Sequence, residues 1–387
     1  MKKFFVSIGD YFMSTDLILW LLTICATVYS CLIINSMQRA GEYNFMKTQL
    51  MAVFAGYIGA LIISVIDYEY ITNLWWFISL LGLGLLIIVF PLGIRVEGTG
   101  DFSWIRLPGG ITFQPSELVK ILFILTFSKH LSYLSEKNRI TNFSSLIFLT
   151  IHAAVPMIII HLQGDDGAVM IFAFMFTVMS FAAGVKARYF IIMITLLIAS
   201  FPFLWFFIFD EYQQNRILAL FDIDGSATSY GWQQYQGKVS IASGQLTGAG
   251  LYKGPRVEYE LVPEQENDFI FTVAGEELGF IGCVLIVLLL LFIILKIMSN
   301  SKKSRDSAGT YICFGVFTLI ASQTILNLGM VLTFLPVVGV VLPFFSSGGT
   351  SAMCLYLGIG LVQSVYMHQE NIDIAKVKLN KMNRRKI

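Results

Sequence analysis

The stretch that decides the fold reads "DFIFTVAGEELGFIGCVLIVLLLLFIILK" and occupies residues 268–296. The eighteen residues before Lys296 carry no charge. About 20 consecutive apolar residues suffice to cross the hydrocarbon core of a bilayer as a helix. The stretch therefore predicts a transmembrane helix, and it places the carboxylates of Asp268, Glu276 and Glu277 at or near one end of that helix.

The composition extends this prediction to the whole chain. Of 387 residues, 56% are hydrophobic and only 13% are charged, whereas about 25% of the residues in soluble domains are charged. The net charge of +1 argues against a nucleic-acid-binding protein, in which basic residues cluster. The five cysteines lie in apolar runs without a C-x-x-C motif, which favours buried small side chains over disulfides or metal ligands.

Ten apolar segments near the spanning length predict an all-α integral membrane protein with about ten transmembrane helices. An even number of crossings places both termini on one side. Lysine and arginine are enriched in cytoplasmic loops, and seventeen of the 26 lysines and arginines fall in segments on the side of the termini. Both termini are therefore expected in the cytoplasm. The predicted helices are 17–37, 46–66, 71–91, 116–134, 145–162, 167–184, 189–209, 269–296, 309–333 and 343–367.

The connection between the seventh and eighth predicted helices, residues 210–268, is much longer than a connection requires. Such loops are usually functional or disordered. This one alternates tyrosine, tryptophan, glutamine and glycine, so we expect a large ordered extracellular loop that lies over the membrane as a lid. Residues 1–387 are expected to form a single polytopic membrane domain, since no soluble domain, internal repeat or nucleotide-binding motif is evident.

The segment "FQPSELVK", residues 113–120, places charges at the predicted outer end of a helix. Charge at membrane depth costs roughly 2.5–3.5 kcal/mol per residue on insertion scales and suggests function. Pro115 suits the first helical turn, Glu117 suits the positive end of the helix dipole, and Lys120 can pair with it at i+3. The motif is either a capped helix start with a local ion pair, or a cation and a carboxylate directed into an outer cavity.

The segment "HLQGDDGAVM", residues 161–170, forms a short turn between two predicted helices. Asp165 and Asp166 are either solvated turn residues or ligands of a divalent cation, which favours clustered carboxylates.

Asp268 begins a helix at the predicted water–lipid boundary. It is either the N-cap of that helix or a general base that accepts a proton from a substrate hydroxyl where water is partly excluded. Helical geometry points Glu276 and Glu277 in different directions, so the two glutamates are expected to have different neighbours.

The run "LPFFSSGGTSAMC", residues 342–354, brings small residues into the last predicted helix. Close helix packing explains such a run. A broken helix whose free N–H groups bind an anion is the alternative.

These motifs resemble those of the SEDS family (shape, elongation, division and sporulation), and the resemblance extends over nearly the whole chain. Three segments carry it in the family's order: "FQPSELVK" for QPSE-x-x-K, "VPEQENDFIFTVAGEELGFIG" for PE-x-HTDFIF-x-x-x-GEE-x-GFIG, and "NLGMVLTFLPVVGVVLPFFSSGGTS" for the N-[IL]-G to SYGGSS stretch. The PE-to-DFIF loop and "NLGMVL" are more similar to RodA than to FtsW.

The resemblance implies a peptidoglycan glycosyltransferase that polymerises lipid II, the undecaprenyl-pyrophosphate-linked disaccharide-pentapeptide, in cell-wall elongation and cell shape. The family's essential aspartate is here Asp268, which would act as general base on the 4-hydroxyl of the acceptor sugar. An α-linked donor and a β-linked product imply inversion, which suits a single displacement. The family also implies a class B penicillin-binding protein, a transpeptidase, as partner.

The departing pyrophosphate needs positive charge, for which Lys120 is the first candidate. The expected substrate-binding residues are Glu117, Lys120, Arg216, Lys238, Arg256, Ser346, Ser347, Gly348 and Gly349. Asp165 is the candidate ligand for a supporting divalent cation, Mg²⁺ or Mn²⁺.

The chain departs from the family's pattern at several positions. The turn Q-P-D-L-G-[ST] is here Gln163 to Ala168, "QGDDGA", with Gly164 and Asp166 replacing proline and leucine. The triplet HTD is Glu266-Asn267-Asp268.

Two other functions are compatible with the same charges. A transporter or flippase of lipid-linked precursors would use them for gating or proton coupling, although such folds show matched broken helices in two repeated halves, and no such repeat is found. A non-catalytic scaffold would only position a transpeptidase. Substituting Asp268 with Asn separates these functions, because a scaffold would be indifferent to the change.

Overall fold

The computed structural model describes residues 8–37, 45–95, 102–106, 112–209, 211–221 and 231–369. Within these ranges nine helices are long and apolar enough to cross a membrane. A tenth apolar helix, Asp166–Ala182, is shorter, at 17 residues. These ten helices confirm the predicted set. The basic residues near both termini that support the predicted orientation, Lys2, Lys3 and those of the tail, lie outside the described residues.

The sixteen helices of the described chain follow one another with three short strands. The helices are α1 Ile8–Ser14, α2 Leu17–Met37, α3 Phe45–Val65, α4 Tyr68–Asn73, α5 Trp75–Ile87, α6 Val89–Leu92, α7 Pro115–Glu136, α8 Phe143–Leu162, α9 Asp166–Ala182, α10 Ala187–Phe207, α11 Glu211–Leu218, α12 Trp232–Ser243, α13 Pro255–Glu258, α14 Ile270–Ser301, α15 Ser307–Val331 and α16 Gly349–His368. The strands are β1 Gly93–Ile94, β2 Trp104–Arg106 and β3 Thr112–Phe113.

The three strands form a small antiparallel sheet in the order β1-β2-β3, which the all-α prediction did not include. Ile94 pairs with Trp104 and Ile105 with Phe113. Strands of two or three residues are too short to show the alternating pattern that identifies a strand in a sequence. The sheet ends at Phe113, and α7 begins two residues later at Pro115, a residue that suits the first helical position.

The last helix begins at Gly349 and not at residue 343 as predicted. Phe344 has a φ of 66°, which lies outside the helical region. The backbone N–H of Ser346 donates to the Leu342 carbonyl (3.1 Å), and the Ser346 hydroxyl accepts from the Leu342 N–H (2.8 Å). Residues 332–348 therefore form an irregular segment between α15 and α16.

The core of the bundle consists of α7, α15 and α16, whose side chains are mostly buried. α16 lies directly against α3, because a Cβ atom at Gly360 would lie only 2.7 Å from the Ala60 Cα. By contrast, most side chains of α10 are exposed and only Phe190 is buried, as expected of a helix that faces lipid. Two of the motifs found in the sequence lie at the starts of buried helices, α7 and α16.

The helix α14 is interrupted at Gly279, whose φ of 66° and ψ of −161° are not helical. The segment 244–250 supplies backbone partners on both sides of the break: Phe280 and Ile281 donate to the carbonyls of Gln245 (2.9 Å) and Leu246 (3.2 Å), and Ala249 and Gly250 donate to those of Glu276 (2.9 Å) and Glu277 (2.9 Å). The long outer loop is therefore hydrogen-bonded into a membrane helix.

We expect Gly279→Ala to destabilise the protein much more than Gly184→Ala. The Gly279 backbone lies in a region that is accessible essentially to glycine alone, at a cost of about 1–3 kcal/mol for other residues, and a Cβ atom there would lie 2.4 Å from the Gly248 nitrogen. Gly184 also has a positive φ, of 95°, but a Cβ atom there would have open space around it, with none of the described neighbours within 4 Å. Thermal unfolding of both variants in detergent measures the difference, and equal losses of Tm would contradict the expectation.

Candidate active site

Asp165 connects two of the sequence motifs at the predicted outer end of the bundle. Its Oδ2 accepts hydrogen bonds from Gln114 Nε2 (2.8 Å) and Ser116 Oγ (3.1 Å). Its Oδ1 accepts from the Ala168 N–H (3.0 Å), which makes Asp165 the N-cap of α9. Loss of water raises the pKa of this carboxyl, against the opposing effects of the Ala168 N–H and the Lys120 charge. Asp165 is thus a half-buried hydrogen-bonded residue and not a solvated one.

Glu117 and Lys120 form the predicted ion pair, with 2.7 Å between Oε1 and Nζ. The pair is buried, since the side chains are only 9% and 1% exposed. Because Lys120 is enclosed, its charge acts in this structure on neighbouring groups such as Asp165. The pair therefore lies inside the protein beside Asp165.

Asp268 lies in the turn before α14 and is not the N-cap of that helix. The helix begins at Ile270 and its N-cap is Phe269, so the capping interpretation is wrong. None of the described residues donates a hydrogen bond to the Asp268 carboxylate, which is half-buried. The acidic group is held in place through its backbone.

Three contacts fix this backbone. Asn327 Nδ2 on α15 donates to the carbonyls of Asp268 (2.7 Å) and Val340 (2.7 Å). The Ser346 hydroxyl donates to the Asn267 carbonyl (2.7 Å), and the Ser347 N–H donates to the Glu266 carbonyl (2.8 Å). The start of α14 is therefore tied to α15 and to the segment 332–348.

The pKa of Asp268 is raised to about 7. Burial is the largest cause, followed by the negative charges of Glu264, Asp165 and Glu266, while the Arg216 guanidinium lowers it. These interactions bring Asp165 and Asp268, about a hundred residues apart in the sequence, into one electrostatic cluster. A carboxyl with a pKa near neutrality is suited to general base catalysis at that pH.

The three loop cations that were expected to bind substrate have different surroundings. Arg216 acts on Asp268, and its Nη1 donates to the Val337 carbonyl (2.9 Å). Arg256 donates instead to Gln236 and Ser240 on α12. Lys238 is exposed on α12. Arg216 is thus the cation of this set that the structure places with Asp268.

The run of small residues has both a packing role and a backbone role. Gly348 is the N-cap position of α16, and a Cβ atom at Gly349 would lie 3.5 Å from Thr48 Cγ2 on α3. Ser346 and Ser347 bind the backbone beside Asp268, as described above. The run lies partly before the start of α16 at Gly349, and anion binding by it stays a prediction.

The sequence reasoning assigned no role to Gln114, Ser116 or Asn327. Asn327 is fully buried within an apolar helix, and an uncharged polar residue in such a position is a detectable signal, since it needs internal partners. Gln114 and Ser116 flank Pro115 within the motif that was identified. Their partner, Asp165, lies in a different motif, so their role became visible only in three dimensions.

Asp165 is the candidate ligand of a divalent cation. Three hydrogen bonds from the protein already occupy its two oxygens. Across the described ranges, no group of three or more His, Cys, Asp or Glu residues is arranged to hold a metal ion. The donor set at Asp165 fits hydrogen bonding better than coordination, and the cation stays a prediction.

Two solved structures share the fold. A chain of a peptidoglycan synthase complex, described as coordinating polymerization and crosslinking, has a TM-score of 0.79 at 22% identity, over 92% of this chain and 98% of that chain. The rod shape determining protein RodA of Thermus thermophilus has a TM-score of 0.67 at 22% identity, over 92% of this chain and 97% of RodA.

Curated relatives match over nearly their whole length. The probable peptidoglycan glycosyltransferase FtsW of Geobacter metallireducens is 32% identical over 365 residues, 90% of this chain and 94% of the relative. The peptidoglycan glycosyltransferase MrdB of Escherichia coli K12 is 27% identical over 353 residues, which are 91% of this chain and 94% of MrdB. A family model described as "Cell cycle protein", covering FtsW, RodA and SpoVE, matches residues 12–371. The chain therefore belongs to this family of multi-pass bacterial membrane proteins, the SEDS family.

Proposed function

We infer that this protein is a peptidoglycan glycosyltransferase of the bacterial cytoplasmic membrane, active in cell wall synthesis. The observation that carries this inference is the Asp268 carboxyl, which has a pKa of about 7 and no hydrogen-bond donor among the described residues, beside Asp165 and Arg216. The relatives named peptidoglycan glycosyltransferase support it from a separate direction.

The proposed substrate is lipid II, which serves as both donor and acceptor. Asp268 accepts the proton of the acceptor's 4-hydroxyl. The oxygen of that hydroxyl forms a bond to the donor's anomeric carbon. The bond between that carbon and the pyrophosphate oxygen breaks, and the undecaprenyl pyrophosphate leaves. One displacement inverts the configuration, as required for a β-linked product from an α-linked donor. The fixed backbone of Asp268 keeps the base in place.

Negative charge develops on the departing pyrophosphate and must be stabilised. Arg216 is the cation next to Asp268 in this structure, so it is proposed to bind the pyrophosphate. Lys120, enclosed with Glu117, is proposed to contribute through its electrostatic effect on Asp165. Lys238 and the run 346–349 are proposed as further contacts with substrate, whereas the Arg256 side chain is engaged by α12.

A class B penicillin-binding protein is proposed as partner. The fold similarity to a chain of a peptidoglycan synthase complex supports this proposal. A role in elongation and cell shape is proposed from the resemblance of "NLGMVL" to RodA, while the curated relatives include FtsW as well as MrdB.

The proposed function is tested by polymerisation of purified lipid II, with and without an added class B partner and with EDTA in a further arm. We expect glycan strands from the wild type. Loss of product with EDTA, and recovery on adding Mg²⁺ or Mn²⁺, would support the cation. No product in any arm would favour the scaffold or transporter.

The rate of polymerisation is expected to rise with pH through about 7, because Asp268 acts only when ionised and its pKa is about 7. Glu264→Gln removes a negative charge that raises this pKa, so the acidic limb should move to lower pH. Glu258→Gln, an exposed residue of the same loop, is the matched control and should leave the limb unchanged. The pH–rate profiles of the three proteins measure the position of the acidic limb. A limb that Glu264→Gln leaves in place would contradict the assignment of this limb to Asp268.

A further inference from the structure

Two buried glutamates inside α14 meet a turn of the outer loop. Glu276 and Glu277 are only 1% and 2% exposed. Glu276 Oε1 accepts a hydrogen bond from the Arg256 N–H (2.7 Å). Glu277 interacts with the N–H groups of Tyr252 and Gly254. Glu276 therefore accepts one backbone N–H of the turn 252–256, and Glu277 lies beside two more.

The same turn is connected to α12 through the side chain of Arg256. Its Nε donates to Ser240 Oγ (2.9 Å), and its Nη2 donates to Gln236 Oε1. Both acceptors lie on α12. A continuous set of hydrogen bonds thus runs from the second turn of α14 through the turn 252–256 to α12.

α12 in turn packs on the first turn of α14, next to Asp268. A Cβ atom at Gly237 would lie 3.1 Å from both a Phe269 ring carbon and Thr272 Cγ2. Gln234 Nε2 also donates to the carbonyls of Met330 and Leu335, each at 2.8 Å. The position of α12 therefore bears directly on the residues that flank Asp268.

A buried carboxylate is costly unless it is hydrogen-bonded, and a turn needs partners for its own N–H groups. We propose that Glu276 and Glu277 are positioning residues, which hold the turn 252–256 and, through Arg256, fix α12 against the start of α14 beside Asp268. This inference rests on the proposed function in one respect, namely that Asp268 is the base whose surroundings matter.

The test compares Glu276→Leu with Glu276→Gln in the purified full-length protein. Glutamine keeps an oxygen that can accept the Arg256 N–H, whereas leucine does not. We expect amide hydrogen exchange in the turn 252–256 and in α12 to become at least about tenfold faster in Glu276→Leu, and to change little in Glu276→Gln. Polymerisation should fall in kcat by about 10–100-fold for leucine and by less than about threefold for glutamine.

Glu258→Leu, at an exposed position of α13, is the matched control and should leave exchange and activity as in the wild type. Equal impairment by Gln and Leu at position 276 would mean that the charge itself is required, and would overturn the proposal. Unchanged exchange in Glu276→Leu would overturn it as well.

A second variant keeps the test decisive if Glu276→Leu does not fold. Arg256→Met removes the link to α12 and leaves α14 intact, so exchange should rise in α12 while the turn stays protected. Protection of α12 equal to that in the wild type would contradict the proposal. The hydrogen-exchange measurements need no substrate and therefore test the positioning role by themselves. Absence of polymerase activity in the wild type would refute the proposed function without affecting that test.

Discussion

Asp268→Asn should reduce lipid II polymerisation by about 10²–10⁴-fold, the usual contribution of a general base. Asparagine has nearly the same size as aspartate and cannot take up the proton. The contacts that hold this position run through the backbone, from Asn327 to the Asp268 carbonyl at 2.7 Å and from Ser346 to the Asn267 carbonyl at 2.7 Å. We therefore expect the variant to fold, to unfold near the wild-type Tm and to bind lipid II as the wild type does.

Asp166→Asn is the matched control for this variant. Asp166 follows Asp165 directly, and its carboxylate is 48% exposed and pairs with His161 at 2.6 Å. The same chemical change there should alter the rate by less than about threefold, as expected of a solvated surface pair. Polymerisation by Asp268→Asn at the wild-type rate would exclude Asp268 as the base, and equal losses in both variants would point to a general effect of charge.

Lys120→Met and Glu117→Gln are expected to have the second-largest effect, because each leaves one member of a buried ion pair alone. The pair lies at 2.7 Å with side chains 1% and 9% exposed. Breaking such a pair from one side costs about 3–5 kcal/mol, whereas replacing both partners by neutral groups is often tolerated. Thermal unfolding should therefore show two destabilised single variants and a double variant that recovers most of the loss.

Activity is expected to follow a different pattern from stability. The double variant still lacks the Lys120 charge that acts on Asp165, so polymerisation should remain low although the fold is restored. This difference separates the two interpretations of "FQPSELVK". Recovery of both stability and activity in the double variant would make the pair a local structural feature and nothing more.

The membrane helices were predictable because each is encoded by a continuous apolar run. The run 17–37 was predicted with the observed bounds, Leu17–Met37, and α7 begins at Pro115, one residue from the predicted start. The small sheet, the break at Gly279 and the irregular segment 332–348 were not predicted. These features depend on backbone contacts between distant segments, such as 244–250 with 276–281, which leave no periodic pattern in a sequence.

The residues of the candidate site were predictable where a charged side chain lies in apolar surroundings, because burying a charge costs free energy. Charges in apolar surroundings identified Asp268, Glu117 and Lys120, and the structure brings the last two together as an ion pair. The supporting residues were harder to find, since Asn327 is an ordinary amide in sequence. Arg256 was expected at the substrate, but its side chain is engaged by α12, a contact that spacing alone could not reveal.

The break in α14 also bears on where Asp268 lies relative to the membrane. From Phe280 to Ser301 the helix contains 22 residues, about 33 Å at 1.5 Å per residue, which matches a hydrocarbon core of about 30 Å. Gly279 is buried and the residues after it are hydrogen-bonded to the segment 244–250, and we place it at the outer end of this span. The turns from Ile270 to Gly279 are about 14 Å of helix, so Asp268 then lies on the outer side of the hydrocarbon core. This is the level at which the sugars of a lipid-linked substrate lie while its tail remains among the acyl chains.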